Sequence, residues 1–229
     1  MGKKIDKKQL DEPDKLQLIF LSARAFMERH KSRIYAGAGI FLFVLAMIGG
    51  WTLYRINYEK SAGKIYSKIF ETAQKAESQK AESPDADQAA IKEYKDLIVQ
   101  YPRSRAAVLA RYRLGNHYFS RHEFDAAILA YKDFLSESPA DSDLVTLAYH
   151  ALGACHEAKK NFKEAIESLE MAMKTTTASS FEALNYISIA RVHEAMNSPQ
   201  KAVEFYQKAL GKITDPLMTL FLKRKISVL

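Results

Sequence analysis

The sequence has 229 residues, 48% hydrophobic and 27% charged, long enough for one globular domain and a further apolar element. Nine glycines, six prolines and apolar runs without two-residue alternation predict an all-α chain. The net charge of +7 is uneven: residues 1–33 hold nine Lys/Arg against five Asp/Glu, and the remainder holds 25 against 22. A basic tail of that kind suits membrane topology and lipid contact, and no basic helix interleaved with aromatics points to nucleic acid.

Within the tail, Leu16, Ile19, Phe20, Ala23, Phe26 and Met27 share one helical face, with Lys15, Arg24 and Arg29 elsewhere. That is an amphipathic segment, suited either to lipid headgroups or to a partner's cytoplasmic surface. Ile34 to Tyr54 then gives 21 residues without a charge, between Arg33 and Arg55. At about 1.5 Å per residue this matches the hydrocarbon core. Tyr35, Trp51 and Tyr54 suit the two interfaces, and no small-residue cleavage site follows. The expected organisation is a cytoplasmic tail over 1–33, an uncleaved transmembrane signal anchor over 34–54, and a second domain over 55–229. Nine Lys/Arg before the span favour a cytoplasmic N-terminus, although Arg55, Lys60, Lys64 and Lys68 follow it. Ala46 and Gly50 form a small-xxx-small pair able to meet another membrane helix.

Beyond Arg55 a helical pattern runs to about Ala81, with Ile65, Ile69, Thr72, Ala73 and Ala76 in rough helical spacing. A break falls at Ser83-Pro84-Asp85, because proline cannot continue a helix. From Ala107 onward the chain repeats every 37 to 38 residues. Leu114-Gly115-x-x-Tyr118 returns as Leu152-Gly153-x-x-His156 and as Ile189-Ala190-x-x-His193. Ala127, Ala165 and Ala202 follow each small residue by twelve positions, and Tyr131, Leu169 and Tyr206 lie four further on. Helical pairs that cannot bury their own apolar faces must stack on their neighbours. The small residues are expected to bring the two helices of a pair together, and the aromatics to fill gaps between units. Asp215-Pro216 predicts the start of a capping helix, whose Leu217, Leu220 and Phe221 would close the stack and whose Lys223-Arg224-Lys225 would keep it soluble.

These residues resemble the tetratricopeptide repeat, with its Leu-Gly, Tyr, Ala, Phe and closing Pro, over roughly residues 60–215. Arg111 to Pro139 fits best. The third unit has Thr177 where Pro is usual, and the fourth has Thr214 there. The first is stretched: Ala62-Gly63-x-x-Tyr66 looks like a first helix, yet 27 residues separate Gly63 from Ala90. Its first helix is expected to be long and to run on from the span. The resemblance implies a solenoid of about four repeats plus the cap, with a groove lined by the first helices. Groove positions carried over from it are Tyr112, Asn116 and Phe119, then His150, Ala154 and Glu157, then Ile187, Arg191 and Glu194. Arg191 stands almost alone there, unlike the basic carboxylate clamp of chaperone-tail-binding relatives.

No catalytic constellation is legible. His117, His150, His156 and His193 recur because the repeat recurs, and no paired cysteines accompany them. The lone Cys155 sits where small packed residues belong, which predicts a buried, inert thiol. No phosphate loop, dinucleotide fingerprint or nucleophile motif is present, so neither enzyme activity nor cofactor nor metal is expected.

In layout, with Ala36-Gly37-Ala38-Gly39 through Gly49-Gly50-Trp51 in its anchor, the chain resembles the bacterial ancillary subunit of the SecYEG translocon. That resemblance implies a single-pass inner-membrane protein with a periplasmic repeat domain that passes translocated polypeptides to periplasmic chaperones. Tyr101-Pro102-x-Ser104 followed by Tyr112-x-Leu114-Gly115 is also similar to envelope-assembly and cell-division coordinator proteins. The expectation is an adaptor or chaperone-like protein that binds polypeptide segments, with a scaffold for envelope assembly or division, or a cytoplasm-facing signalling scaffold, as the alternatives.

Overall fold

The computed structural model describes residues 15–78, 84–139, 143–175 and 179–229. Among them are nine helices and no strand: α1 (Lys15–Ser78), α2 (Pro84–Gln100), α3 (Arg105–Ser120), α4 (Phe124–Glu137), α5 (Asp143–Ala158), α6 (Phe162–Thr175), α7 (Ser179–Ala195), α8 (Pro199–Leu210) and α9 (Pro216–Val228). The expected basic tail before Lys15, the Ser83 of the expected break and the Thr177 position lie outside the described residues. The chain divides into two compact units, Met1–Asn57 and Tyr58–Leu229.

In the first unit, α1 leaves helical geometry at His30 (φ −116°, ψ 15°) and then resumes. The uncharged stretch that follows is long and apolar enough to cross a membrane by length and composition. Its large side chains are exposed, Phe41 at 62% and Trp51 at 64% among them. Among the described residues of this unit, a Cβ added at Gly37, Gly39, Gly49 or Gly50 would meet open space.

The second unit is a stack of antiparallel helical hairpins. α3 pairs with α4, α5 with α6 and α7 with α8; α2 adjoins α3, and α9 lies on α8. The period has a backbone cause as well as a side-chain one. His122, Lys160 and Asn197, one in each hairpin turn, have φ of 60°, 61° and 54°. Around each, the αL residue donates its N–H three residues back, and the next residue donates five back (Glu123 to Tyr118, Asn161 to His156, Ser198 to His193). This is the Schellman helix end, made three times without glycine.

Helix starts follow from side chains. Ser104 Oγ accepts from the Ala107 N–H at 3.0 Å, and Asp215 Oδ1 accepts from the Met218 N–H at 2.7 Å with Pro216 next to it. Two groups of α1 within the second unit complete the entry to α3: Tyr58 Oη accepts from the Arg103 N–H and Glu59 Oε2 from the Arg105 N–H.

Ala127, Ala165, Ala190 and Ala202 are wholly buried, as the repeat requires. Gly153 lies against α6, where a Cβ would come within 2.7 Å of Leu169 Cγ, and Gly115 is pressed closer still by the Tyr131 ring. Tyr131 therefore fills space inside its own hairpin, and it also joins Val145, Ala148, Leu152 and Cys155 of the next unit in one cluster, as the pattern suggested. Gly115 leaves a ring-sized recess for it on the facing helix. Tyr94 does both, approaching Tyr66 of α1 and His117 of α3 with centroids 6.0 and 5.7 Å away.

Two expectations change. Gly63 makes no close approach, and Ala62 beside it is the buried small residue. On α9, Leu217, Leu220 and Phe221 are exposed at 79%, 67% and 50%, and it is Leu222, with Ile226 beside it, that closes the stack. Leu222 and Ile226 are four apart and so share a face, while Leu217, Leu220 and Phe221 fall on the other side.

Candidate partner-binding face

The first helices of the hairpins adjoin one another: α5 meets α7 directly, and side chains tie α1 to α3 and α7 to α9. The positions assigned to the groove all lie on α3, α5 and α7. The structure separates them into an aromatic half and a charged half.

On α3, Tyr112 is half-buried, its ring centroid 5.9 Å from Tyr131 and 5.3 Å from Phe134. Asn116 Oδ1 accepts from the Tyr131 hydroxyl at 2.8 Å. Burial holds both phenols above their ordinary pKa, so each stays a neutral donor in the physiological range. Phe119, 37% exposed, meets Phe124 edge-on at 5.7 Å. Tyr112 and Asn116 are thus committed largely to the hairpin, while Phe119 remains partly exposed.

On α5 and α7, Arg191 Nε and Nη2 each donate at 2.7 Å to Glu157, one to each carboxylate oxygen. The cation that stands almost alone among the groove positions is thus paired with an acid of the preceding repeat. Its guanidinium has five N–H donors, and two are used here. The side chain remains 50% exposed, whereas Glu157 is 18% exposed. The hydrogen bonds to Glu157 raise the Arg191 pKa, and a fixed, permanently charged fork results.

Next along the face, Glu194 accepts from Lys225 of α9 at 3.1 Å through both oxygens. Tyr206 lies beside this pair, its hydroxyl pushed up to about 12 by burial and by the Glu194 carboxylate. His150 Nε2 and Ser188 Oγ share a hydrogen bond of 2.9 Å between α5 and α7. Burial lowers the His150 pKa, with Arg191 adding to the effect. Ala154 and Ile187 are half-buried, and Ile187 packs into the cluster around Tyr206.

Lys225, Ser188 and Tyr206 were not singled out by sequence. Once the first helices stack, a residue four after one small position meets the residue one after the next small position, which puts Glu157 opposite Arg191, 34 residues on. Lys225 is harder to find, because α9 takes the place of a first helix without carrying the repeat's signature. Cys155 is fully buried, and its thiol is pushed up to about 12 by that burial. Among the described residues no three His, Cys, Asp or Glu side chains gather as a ligand set for a metal ion.

A stack of helical hairpins presenting a face of fixed aromatic and ionic groups defines a repeat-type protein-interaction scaffold. Residues 24–229 match the tetratricopeptide repeat-like domain family, and the chain belongs to it. No curated protein matches the sequence. Among solved structures, a crystal structure of MamA protein shares 21% identity over 72% of this chain and 81% of that one, with a TM-score of 0.56. The nearly identical repeats of a putative kinesin light chain from Podosopora anserina share 14% identity over 71% and 83%, at 0.57. MamA 41-end from Desulfovibrio magneticus RS-1 shares 15% over 70% and 88%, at 0.52. At these identities the likeness is one of fold.

Proposed function

We propose that this chain is a membrane-anchored, non-enzymatic adaptor that holds polypeptide segments of other proteins on the first-helix face of its repeats. The observation that carries this reading is Arg191, clamped by Glu157 yet half exposed, on the same row of helices as the partly exposed Phe119. A preset guanidinium can take a backbone carbonyl or a carboxylate, and a partly exposed ring can take an apolar side chain. Neither has to be ordered on binding, which lowers the entropic cost.

The finer assignment rests on layout. Residues 34–54 cross the bacterial inner membrane, the tail over 1–33 is cytoplasmic, and the domain over 55–229 is periplasmic. There it receives polypeptides emerging from the SecYEG translocon and passes them to periplasmic chaperones, as in the family it resembles. Support comes from the basic tail before the uncharged helix and from the exposed apolar side chains along that helix.

A photo-crosslinking residue at position 119 or 112, in cells exporting an arrested secretory chain, should give adducts with that chain. A similar probe at Lys163, on α6, should give fewer. Equal yields from both sites would remove the face from consideration. Alkaline phosphatase fused after Leu229 should be active; an inactive fusion would put the domain in the cytoplasm and favour a signalling or division scaffold.

A further inference from the structure

We propose that residues 18–29 form an interfacial helix lying in the headgroup layer of an anionic bilayer, turned onto the membrane by the bend at His30. The inference rests on the reading above that Ile34–Tyr54 spans the membrane.

Three observations converge. The first is position: α1 departs from helical geometry at His30, four residues before the uncharged stretch begins, and the Phe26 ring meets the His30 ring there at 4.8 Å. Without a bend, Leu18 would stand sixteen residues beyond Ile34, about 24 Å out along a membrane-normal helix. The second is the apolar surface that such a helix would leave in water. Phe20 is 77% exposed, Ile19 62%, Phe26 61% and Met27 55%. These four fall on one side of the helix at i, i+1, i+7 and i+8 spacing, the pattern of a buried stripe, while Leu18 and Leu21, 51% and 59% exposed, lie on the other side.

The third observation is charge. Between Gln17 and Arg33 there are Arg24, Arg29, Lys31 and Arg33 against one acid, Glu28, and Arg24 engages that acid at 3.2 Å. Cations gathered beside an apolar stripe, within a few residues of a span, match the phosphate plane of an anionic leaflet. A protein partner would supply apolar cover, but nothing would then require the cations to cluster at the membrane end.

The test uses the full-length protein in phosphatidylcholine vesicles with and without phosphatidylglycerol. A fluorophore is attached in turn to F20C, F26C, Q17C and L45C; Cys155, wholly buried with its thiol pushed up to about 12, stays unlabelled. We expect probes at 20 and 26 to be shielded from aqueous iodide several-fold more than the probe at 17. They should be quenched by spin labels at headgroup depth, and Arg29→Gln with Lys31→Gln should weaken both effects. The probe at 45 should be quenched only by labels deep in the acyl chains. Probes at 20 and 26 as open to iodide as the one at 17, with 45 still deep, would overturn the inference and leave the span intact. A probe at 45 open to iodide would overturn the span itself. Shielding at 20 and 26 that ignores lipid charge but rises with protein concentration would assign the stripe to a second copy, and would also overturn the inference.

Discussion

Glu157 of α5 and Arg191 of α7 meet through two parallel hydrogen bonds of 2.7 Å, joining successive repeats on the face we assign to partners. The pair is partly exposed, so its contribution to stability is screened. Chemical denaturation of Glu157→Gln, Arg191→Gln and the double variant should give a coupling energy of about 0.5–1 kcal/mol. Both single variants should reduce crosslinking at the face more than this small loss accounts for. A binding defect in Arg191→Gln alone would mean that Glu157 does not preset the fork.

Glycines of the repeat signature are not equivalent. Gly115→Ala drives a methyl into the Tyr131 ring, and Gly153→Ala drives one into Leu169 and within 3.3 Å of the Ala165 carbonyl. Overpacking of this kind costs about 1–3 kcal/mol, of which about 1 is regained from helix propensity. Gly63→Ala meets open space and should stabilise by up to about 1 kcal/mol. Urea titrations of the three variants should show opposite signs.

The turn residues supply a second contrast. His122 and Lys160 hold αL geometry without glycine, at a cost of about 1 kcal/mol each, while Asn197 tolerates it better. Lys160→Gly should raise Tm by about 2–4 °C, less what the freer unfolded chain takes back. Asn197→Gly should leave it nearly unchanged. Thermal unfolding followed by circular dichroism reads both.

Three histidines make the repeat domain sensitive to acid. Burial lowers the pKa of His150, His156 and His193 below the ordinary 6.5. Below pH 6.5 the unfolded chain takes up protons that the folded chain refuses, so unfolding is favoured as pH falls. Stability should be full above about pH 6.5 and decline below it, until the folded-state pKa values are reached, by up to about 1.4 kcal/mol per pH unit per histidine. His150→Gln, which keeps a partner for Ser188, should flatten that slope. An unchanged slope would mean that His150 titrates freely in the fold.

On α9, Leu222→Ala should cost about 2–4 kcal/mol, because the side chain is wholly buried against α8. Leu220→Ala, at a site 67% exposed, should cost less than about 0.5. Equal losses would restore the outward residues as the closing face.

Much of this was present in the sequence because it is local and periodic. The 37–38-residue spacing, the buried small residues that recur with it, the Asp215-Pro216 helix start and the uncharged stretch all depend on residue type and interval, and stacking neighbours reuse one interval. The helical nature of the chain, its membership of a repeat family and the candidacy of Ile34–Tyr54 as a span come from that level. What the interval could not specify is which way a side chain turns once two helices are packed. Gly115 receives the ring of its own hairpin, Gly63 receives nothing, and α9 seats Leu222 rather than Leu220, because burial depends on the phase of a helix against its neighbour. The Arg191–Glu157 fork and the Lys225–Glu194 pair belong to the same class. They join residues 34 and 31 apart, and only the stacking of one first helix on the next brings those charges within hydrogen-bonding reach.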